Sequence, residues 1–324
     1  MHRRSMLLLL LGAGAASAAD LARANAPRRF RDLGAAVRAV LNRPERQLDY
    51  LDAKLALDAL IDPSAGGASV RTAIEALTTA ARSLAGDSPD DARRLAAVRT
   101  VIYRSGDWNQ NRPFAYDHAD PFGRNIRNKL MATYLDTRLG NCVSMPILFL
   151  ILADRLGVNV RLSTAPHHVF VRYVDAAGHA TNLETTSGGL PSRDKWIRQN
   201  MPMTDEAVAS GIYLRTQSRR ETVATMATTV EEYLCHAQRD EEAIAVADAI
   251  LQVAPRNVEC ILYRGSVYGR LFEREFSARY VDEAQIPQSL HARYQLLASM
   301  NQQAFTQAEA LGWRPEPDQR QGAQ

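Results

Sequence analysis

The sequence predicts a mostly helical α+β protein, with a small antiparallel sheet in its middle and a helical tail. Apolar residues recur at helical spacing in the first third of the chain, for example at Val37, Val40 and Leu41. An unbroken apolar run over residues 143–156 predicts a buried helix, and the short alternating segments after it are typical of strands. Beyond about residue 221 the helical spacing returns and continues almost to the end.

Composition and charge exclude several classes of protein. The 324 residues are 46% hydrophobic and 23% charged, which excludes a disordered chain, a collagen-like chain and a small disulfide scaffold. Lys and Arg together number 39 and Asp and Glu 36, so the formal net charge is only +3. A nearly neutral chain is poorly suited to binding a phosphate backbone, and we therefore expect no nucleic-acid partner.

Residues 1–18 have the three parts of a secretory signal peptide. Arg3 and Arg4 supply a positive start, an apolar run covers 6–11, and small residues at 16–18 offer a cleavage site. The apolar run is too short to span a bilayer, although an uncleaved membrane anchor is the alternative. The expected location is the periplasm or the exterior, with no stable membrane insertion after cleavage.

Three further segments are predicted after the signal peptide. Residues 28–104 form a helical lead-in, 105–215 form the core that carries the sheet, and 221–314 form the helical tail. The core opens with an irregular, aromatic-rich stretch that is typical of a functional loop or a linker. A weak pattern of about 34 residues makes the tail tetratricopeptide-like, from residues Ala243, Pro255, Gly265 and Tyr268.

Cys142 is the candidate nucleophile. Asn141 is a favourable N-cap and Gly157 a favourable residue just past a helix end, so Cys142 is expected in the first turn of a buried helix. Unsatisfied N–H groups at that position favour the thiolate and can hold an oxyanion. The other two cysteines, Cys235 and Cys260, lie in the tail, where they either pair with each other or are small buried residues.

The strands after this helix supply candidates for the base and for the group that orients it. His168 is the predicted base, and its neighbour His167 competes because adjacent strand residues point to opposite faces. Asn182 and Glu184 lie two apart on the next strand and hence on one face. A three-residue turn at 175–177 would place Glu184 directly opposite His168, but the sequence leaves this register open.

Four blocks of sequence around these residues resemble the bacterial transglutaminase-like proteins related to SirB1, in the same order and spacing. The resemblance covers roughly residues 50–215, and the tetratricopeptide-like tail is similar to tails found in that group. The blocks are Tyr134–Pro146, Ala153–Gly157, Pro166–Arg172 and Glu184–Gly189.

The resemblance implies a papain/transglutaminase-like core in which a helix carrying the cysteine packs on a small antiparallel sheet. It also implies a Cys-His-Asp triad: Cys142 matches the nucleophile, His168 the base and Glu184 the acidic position. Glutamate stands where aspartate is commoner, and Asn182 is the alternative third member. Many SirB1-like proteins have proline in place of the cysteine, whereas this sequence keeps Cys142.

These observations predict a cysteine-dependent acyl-transfer enzyme, either a peptidase or amidase or a transglutaminase, acting on a peptide or protein amide. The alternative is a catalytically silent scaffold that binds a peptide or protein partner through the helical tail. Arg138 is expected either to hold the loop before Cys142 or to contact substrate. No metal or organic cofactor is expected, since the polar stretch 116–120 matches no standard set of metal ligands.

Overall fold

The computed structural model describes residues 32–315, so the predicted signal peptide lies outside the described residues. Twelve α-helices occupy most of this part of the chain. None of them is long and apolar enough to cross a membrane. The helices are α1 Leu33–Leu41, α2 Tyr50–Ile61, α3 Gly67–Ala85, α4 Asp91–Tyr103, α5 Met131–Thr137, α6 Ser144–Arg155, α7 Asp194–Asn200, α8 Asp205–Ser210, α9 Arg219–His236, α10 Asp240–Val253, α11 Val258–Phe272 and α12 His291–Ala310.

The strands form two sheets of unequal size. In the larger sheet four consecutive strands pair antiparallel with their neighbours along the chain. In the smaller sheet two very short strands pair in parallel, and this pairing lies within the aromatic-rich loop and just before Cys142. The strands are β1 Ala115–Tyr116, β2 Leu139–Gly140, β3 Val160–Ala165, β4 His168–Val174, β5 Ala180–Glu184 and β6 Leu190–Ser192.

Local capping explains where several helices begin. The side chains of Asp32, Asp49 and Asp90 each accept a hydrogen bond from a backbone amide in the first turn of the helix that follows. Helix α9 begins with a reciprocal capping box between Ser218 and Glu221. Each such cap satisfies amides that have no partner inside the helix, and contributes about 1 kcal/mol.

Helix α6 and the larger sheet form the centre of the core. Every residue of α6 from 144 to 153 is buried. Alternate strand residues, among them Leu162, Val171 and Leu183, join the same apolar cluster as α6. This arrangement confirms the predicted α+β fold, in which a cysteine-bearing segment leads into a buried helix packed on a small antiparallel sheet.

The opposite face of the sheet is covered by two short helices at the end of the core segment and by helices of the tail. Phe170 and Ala165 point to this side and join a second apolar cluster with residues of α7, α8, α11 and α12. At the other end of the chain, α1 packs against α10 of the tail. Gly34 approaches Ala245 so closely that a Cβ at residue 34 would lie 2.8 Å from the Ala245 carbonyl oxygen.

The first and third predicted strands are displaced from their expected positions, and the first displacement has a local cause. The sequence predicts strands over 158–162 and 181–185, whereas β3 runs over 160–165 and β5 over 180–184. The Val158 amide donates instead to the Ala153 carbonyl, 3.0 Å away, and Gly157 adopts the left-handed conformation with φ of 75°. This closure of the helix C-terminus uses residues that the alternating pattern assigned to the strand.

Candidate active site

Asn141 sets the position of Cys142 through both its backbone and its side chain. Its Oδ1 accepts hydrogen bonds from the amides of Val143 (3.0 Å) and Ser144 (3.1 Å), and its own amide donates to Ser144 Oγ at 3.1 Å. The Asn141 carbonyl already accepts the first helical bond, from the amide of Met145 at 3.1 Å. Asn141 therefore caps the turn that leads into the helix, but α6 itself begins at Ser144, so Cys142 lies in the turn before the helix and not in its first turn as predicted.

The loop before Cys142 is fixed from two further directions. The Asn141 Nδ2 donates to the Asn128 carbonyl at 3.1 Å. On the other side, the Asp117 amide donates to the Gly140 carbonyl at 2.7 Å as part of the parallel β1–β2 pairing. The Cys142 side chain is thus held at the start of the helix, with 6% of the residue exposed.

His168 and Glu184 form a buried pair. The distance from His168 Nε2 to Glu184 Oε2 is 2.8 Å, and their side chains are only 9% and 5% exposed. The second carboxylate oxygen of Glu184 accepts from the amide of Thr186 at 3.1 Å and from its hydroxyl at 2.7 Å. Both oxygens of Glu184 are therefore engaged, which fixes the orientation of the carboxylate against the imidazole.

The strand register explains why a long acidic side chain meets the histidine. Val171 is opposite Leu183 in the β4–β5 pair, so extending this register places Glu184 opposite Phe170 rather than His168. The expected three-residue turn at 175–177 is not the one found, because the Asp175 amide pairs with the His179 carbonyl at 3.0 Å and moves the turn by one residue. His168 and Glu184 still share one face as diagonal neighbours, typically about 7–8 Å apart at the backbone, a separation that a glutamate can span.

The electrostatics of this pair favour an imidazolium facing a carboxylate. Burial alone would lower the pKa of His168, but its hydrogen bonds to Cys142 and Glu184, together with their charges, raise it to about 9. Burial would raise the pKa of Glu184, but the hydrogen bond and charge of His168 and the Thr186 contacts lower it. At neutral pH the histidine therefore carries its proton beside the thiol of Cys142.

The remaining predicted residues lie at different distances from this centre. The His167 carbonyl faces the Cys142 thiol at 3.7 Å, and the His167 side chain is more than half exposed. Asn182 donates from Nδ2 to Asp194 Oδ1 at 2.6 Å, so its amide is directed to the start of α7 rather than to His168. Arg138 ends α5 in the left-handed conformation, and its guanidinium stacks on an aromatic ring 4.3 Å away, that of Phe114.

Two contributors to the site escape the sequence analysis. Tyr116 in β1 lies near both Cys142 and Glu184, and the pKa of its phenol is raised by burial and then by these two groups. In the sequence, only the many aromatic residues of its loop indicated that this segment is functional. Thr186, which holds the Glu184 carboxylate, follows the strand directly and has no sequence signature beyond its position.

Within residues 32–315, no group of three or more His, Cys, Asp or Glu side chains is arranged to hold a metal ion. In the polar stretch at 116–120 the carboxylates serve their own loop. Asp117 Oδ1 accepts from the amides of Ala119 (2.9 Å) and Asp120 (3.2 Å), and Asp120 accepts from those of Arg124 and Asn125.

Comparison with known proteins identifies the family. Residues 68–239, more than half of the chain, match the transglutaminase-like superfamily. Two proteins named UPF0162, from Xylella fastidiosa strains 9a5c and Temecula1 / ATCC 700964, are 23% identical over 187 and 188 residues. The match covers 56% of this chain and 63% of either relative, so the chain spans less than two thirds of their length. No solved structure matches. The chain belongs to the transglutaminase-like superfamily.

Proposed function

We propose that this protein is a cysteine-dependent acyl-transfer enzyme acting on an amide bond of a peptide or protein. The observation that carries the proposal is the 2.8 Å pair between His168 and Glu184, buried beside the Cys142 thiol. A histidine held between a thiol and an oriented carboxylate is the arrangement that activates a cysteine nucleophile. Glu184 is the proposed third member, because Asn182 is directed to Asp194.

In the proposed reaction, the sulfur of Cys142 attacks the carbonyl carbon of the amide and forms a C–S bond. The backbone amide of Cys142 stabilises the oxyanion of the tetrahedral intermediate. His168 then donates its proton to the amine as the C–N bond breaks, which leaves a thioester on Cys142. His168 next takes a proton from the acceptor as the acceptor bonds to the acyl carbon; the C–S bond then breaks, which releases the product and restores the Cys142 thiolate beside the protonated His168. Glu184 keeps the imidazole oriented and balances its charge whenever it is protonated.

The acceptor is proposed to be water, which makes the reaction a hydrolysis. An amine acceptor would need a site protected from water, and no feature of the sequence points to one. We also propose that the protein is exported to the periplasm or the exterior by residues 1–18, and that its finer kinship is with SirB1-related proteins carrying a tetratricopeptide-like tail. Candidate substrates are then peptides or proteins of the cell envelope.

The test of this proposal needs no substrate. The rate of Cys142 alkylation by iodoacetamide is measured from pH 5 to pH 9 in the wild type, His168→Ala and Glu184→Gln, with Cys142→Ala as the blank for Cys235 and Cys260, which are buried. The proposal expects fast alkylation that persists at pH 6 in the wild type and falls in His168→Ala, because only a thiolate reacts. An unchanged profile in His168→Ala would contradict the enzyme and favour the scaffold function.

A further inference from the structure

A residue of the tail reaches the turn that carries the histidines. Glu259 lies in the first turn of α11, beyond the family match, which ends at residue 239. One carboxylate oxygen of Glu259, Oε1, lies 4.0 Å from His167 Nδ1, and the carboxylate also interacts with the His167 backbone amide. The neighbouring Val258 is buried in the same apolar cluster as Phe170 of β4, so the start of α11 packs against the β3–β4 hairpin.

The turn that Glu259 contacts bears on both proposed catalytic side chains. Ala165 pairs with His168, so only Pro166 and His167 connect β3 to β4. The His167 carbonyl faces the Cys142 thiol at 3.7 Å, and the next residue along the chain is His168. A rotation of the peptide at His167 would therefore move the imidazole of His168 and the acceptor of the thiol together.

The conformation of this turn is one that a histidine does not favour. His167 has φ of 54°, in the left-handed region, which residues other than glycine adopt uncommonly. Such a conformation persists when contacts from the surrounding structure hold it. The contacts from Glu259 to the amide and ring of His167 are of this kind.

Other charged groups surround Glu259 but are engaged elsewhere. Lys129 Nζ is 2.6 Å from Glu232 Oε2, and these two side chains are 7% and 12% exposed. The side chain of Glu259 is 32% exposed, so it is neither a core residue nor a freely solvated one. The His167 imidazole lies 4.0 Å from the Glu259 carboxylate, which places this carboxylate at the turn.

We propose that Glu259 is a positioning residue that holds the Pro166–His167 turn and thereby keeps His168 in line with Cys142. This inference rests on the proposed function, since it concerns the alignment of the same thiol and imidazole. It makes the tail a part of the active site rather than an appendage, because the contact comes from outside the segment that matches the family.

The experiment compares second-order rates of Cys142 alkylation by iodoacetamide at pH 6 in the full-length protein. Glu259→Ala removes both contacts and is expected to slow alkylation about tenfold, as a displacement of the reacting groups by a fraction of an ångström would do. Glu259→Gln keeps an oxygen for the His167 amide but loses the charge, and is expected to slow it about threefold. Glu241→Ala is the matched control, since Glu241 also lies in a first turn of the tail, that of α10, and it should react like the wild type.

The outcomes separate this inference from the proposed function. Wild-type rates in both Glu259 variants, with a large loss in His168→Ala, overturn the positioning role and leave the enzyme standing. A wild-type rate in His168→Ala overturns the proposed function itself. Circular dichroism and thermal midpoints are measured on each variant to check that it folds. If Glu259→Ala does not fold, the alkylation rate of Glu259→Gln decides the question: a threefold loss supports the positioning role, and a wild-type rate overturns it.

Discussion

A buried ion pair in α2 offers a test of how the segment that leads to Cys142 is supported. Lys54 and Asp58 of α2 lie 2.6 Å apart, and their side chains are only 1% and 3% exposed. Lys54 Nζ also donates to the Lys129 carbonyl at 2.9 Å, and Asp58 Oδ2 accepts from the Met131 amide at 2.9 Å. The pair therefore holds both ends of the segment that starts α5, the helix leading to the Cys142 loop.

Asp58→Ala is expected to be strongly destabilising. The substitution leaves the Lys54 ammonium buried without its partner and the Met131 amide without its acceptor. Removing one member of a buried pair costs about 3–5 kcal/mol of unfolding free energy, a large share of a typical total of about 5–15 kcal/mol. The double variant Lys54→Met/Asp58→Leu removes both charges, so only backbone groups lose partners, and it is expected to cost less, about 1–3 kcal/mol.

Urea unfolding followed by circular dichroism measures these differences, read from the midpoint at constant slope. Asp52→Ala is the matched control in the same helix, because Asp52 pairs with Arg71 at the surface, where the side chains are 43% and 51% exposed. Exposed pairs contribute about 0–1 kcal/mol. A cost below about 1 kcal/mol for Asp58→Ala, or a double variant less stable than the single one, would refute this reasoning.

Three further predictions concern single residues. The hydrogen bonds and charges of Cys142 and Glu184 raise the pKa of His168 to about 9, and burial opposes them. The share that depends on Glu184 is lost in Glu184→Gln, so the stability difference is largest between about pH 4.5 and pH 6.5 and shrinks as pH rises through about 9, as urea unfolding across that range would reveal; a constant difference contradicts it. Asn141→Ala removes the hydrogen bonds to the amides of Val143 and Ser144 and is expected to lower the unfolding free energy by about 1–2 kcal/mol and to slow Cys142 alkylation. Unchanged stability would show that these hydrogen bonds do not hold the turn at Cys142. Glu231 is fully buried, and burial holds the pKa of its carboxyl well above the usual range. The wild type is therefore expected to lose stability as pH rises above about 4.5, because the unfolded chain releases this proton first, and Glu231→Gln is expected to flatten that dependence. Identical pH profiles of the thermal midpoint in the two proteins would argue against it.

The parts of the fold that local chemistry determines could be predicted from the sequence. Asn141 and Gly157 flank the segment that contains Cys142 and α6, because capping depends on residues close in the chain. The period-two pattern likewise indicated that Asn182 and Glu184 share a face, whereas it left open whether His168 lies on the same side of the sheet. The diagonal register of His168 and Glu184 was not predictable, since it depends on the length of the turn after β4 and the sequence permits more than one.

Contacts between distant segments could not be predicted. Lys54 and Asp58 look like ordinary surface charges of a helix, and only the packing of the Lys129–Met131 segment over them explains their burial. Glu259 lies 92 residues after His167, and no pattern in either segment indicates that they meet. Such contacts arise from tertiary packing, which residue spacing does not encode.

The packing of α1 on α10 has a consequence for how the chain reaches its final state. Gly34 and Ala245 are 211 residues apart in sequence, so a chain that emerges from its N-terminus must keep the apolar face of α1 uncovered until most of the protein has followed. A fragment that stops at residue 239, where the family match ends, would leave that face permanently exposed to solvent. Docking of the first helix therefore waits for synthesis of the tail, and a chain truncated before α10 is expected to be prone to aggregation.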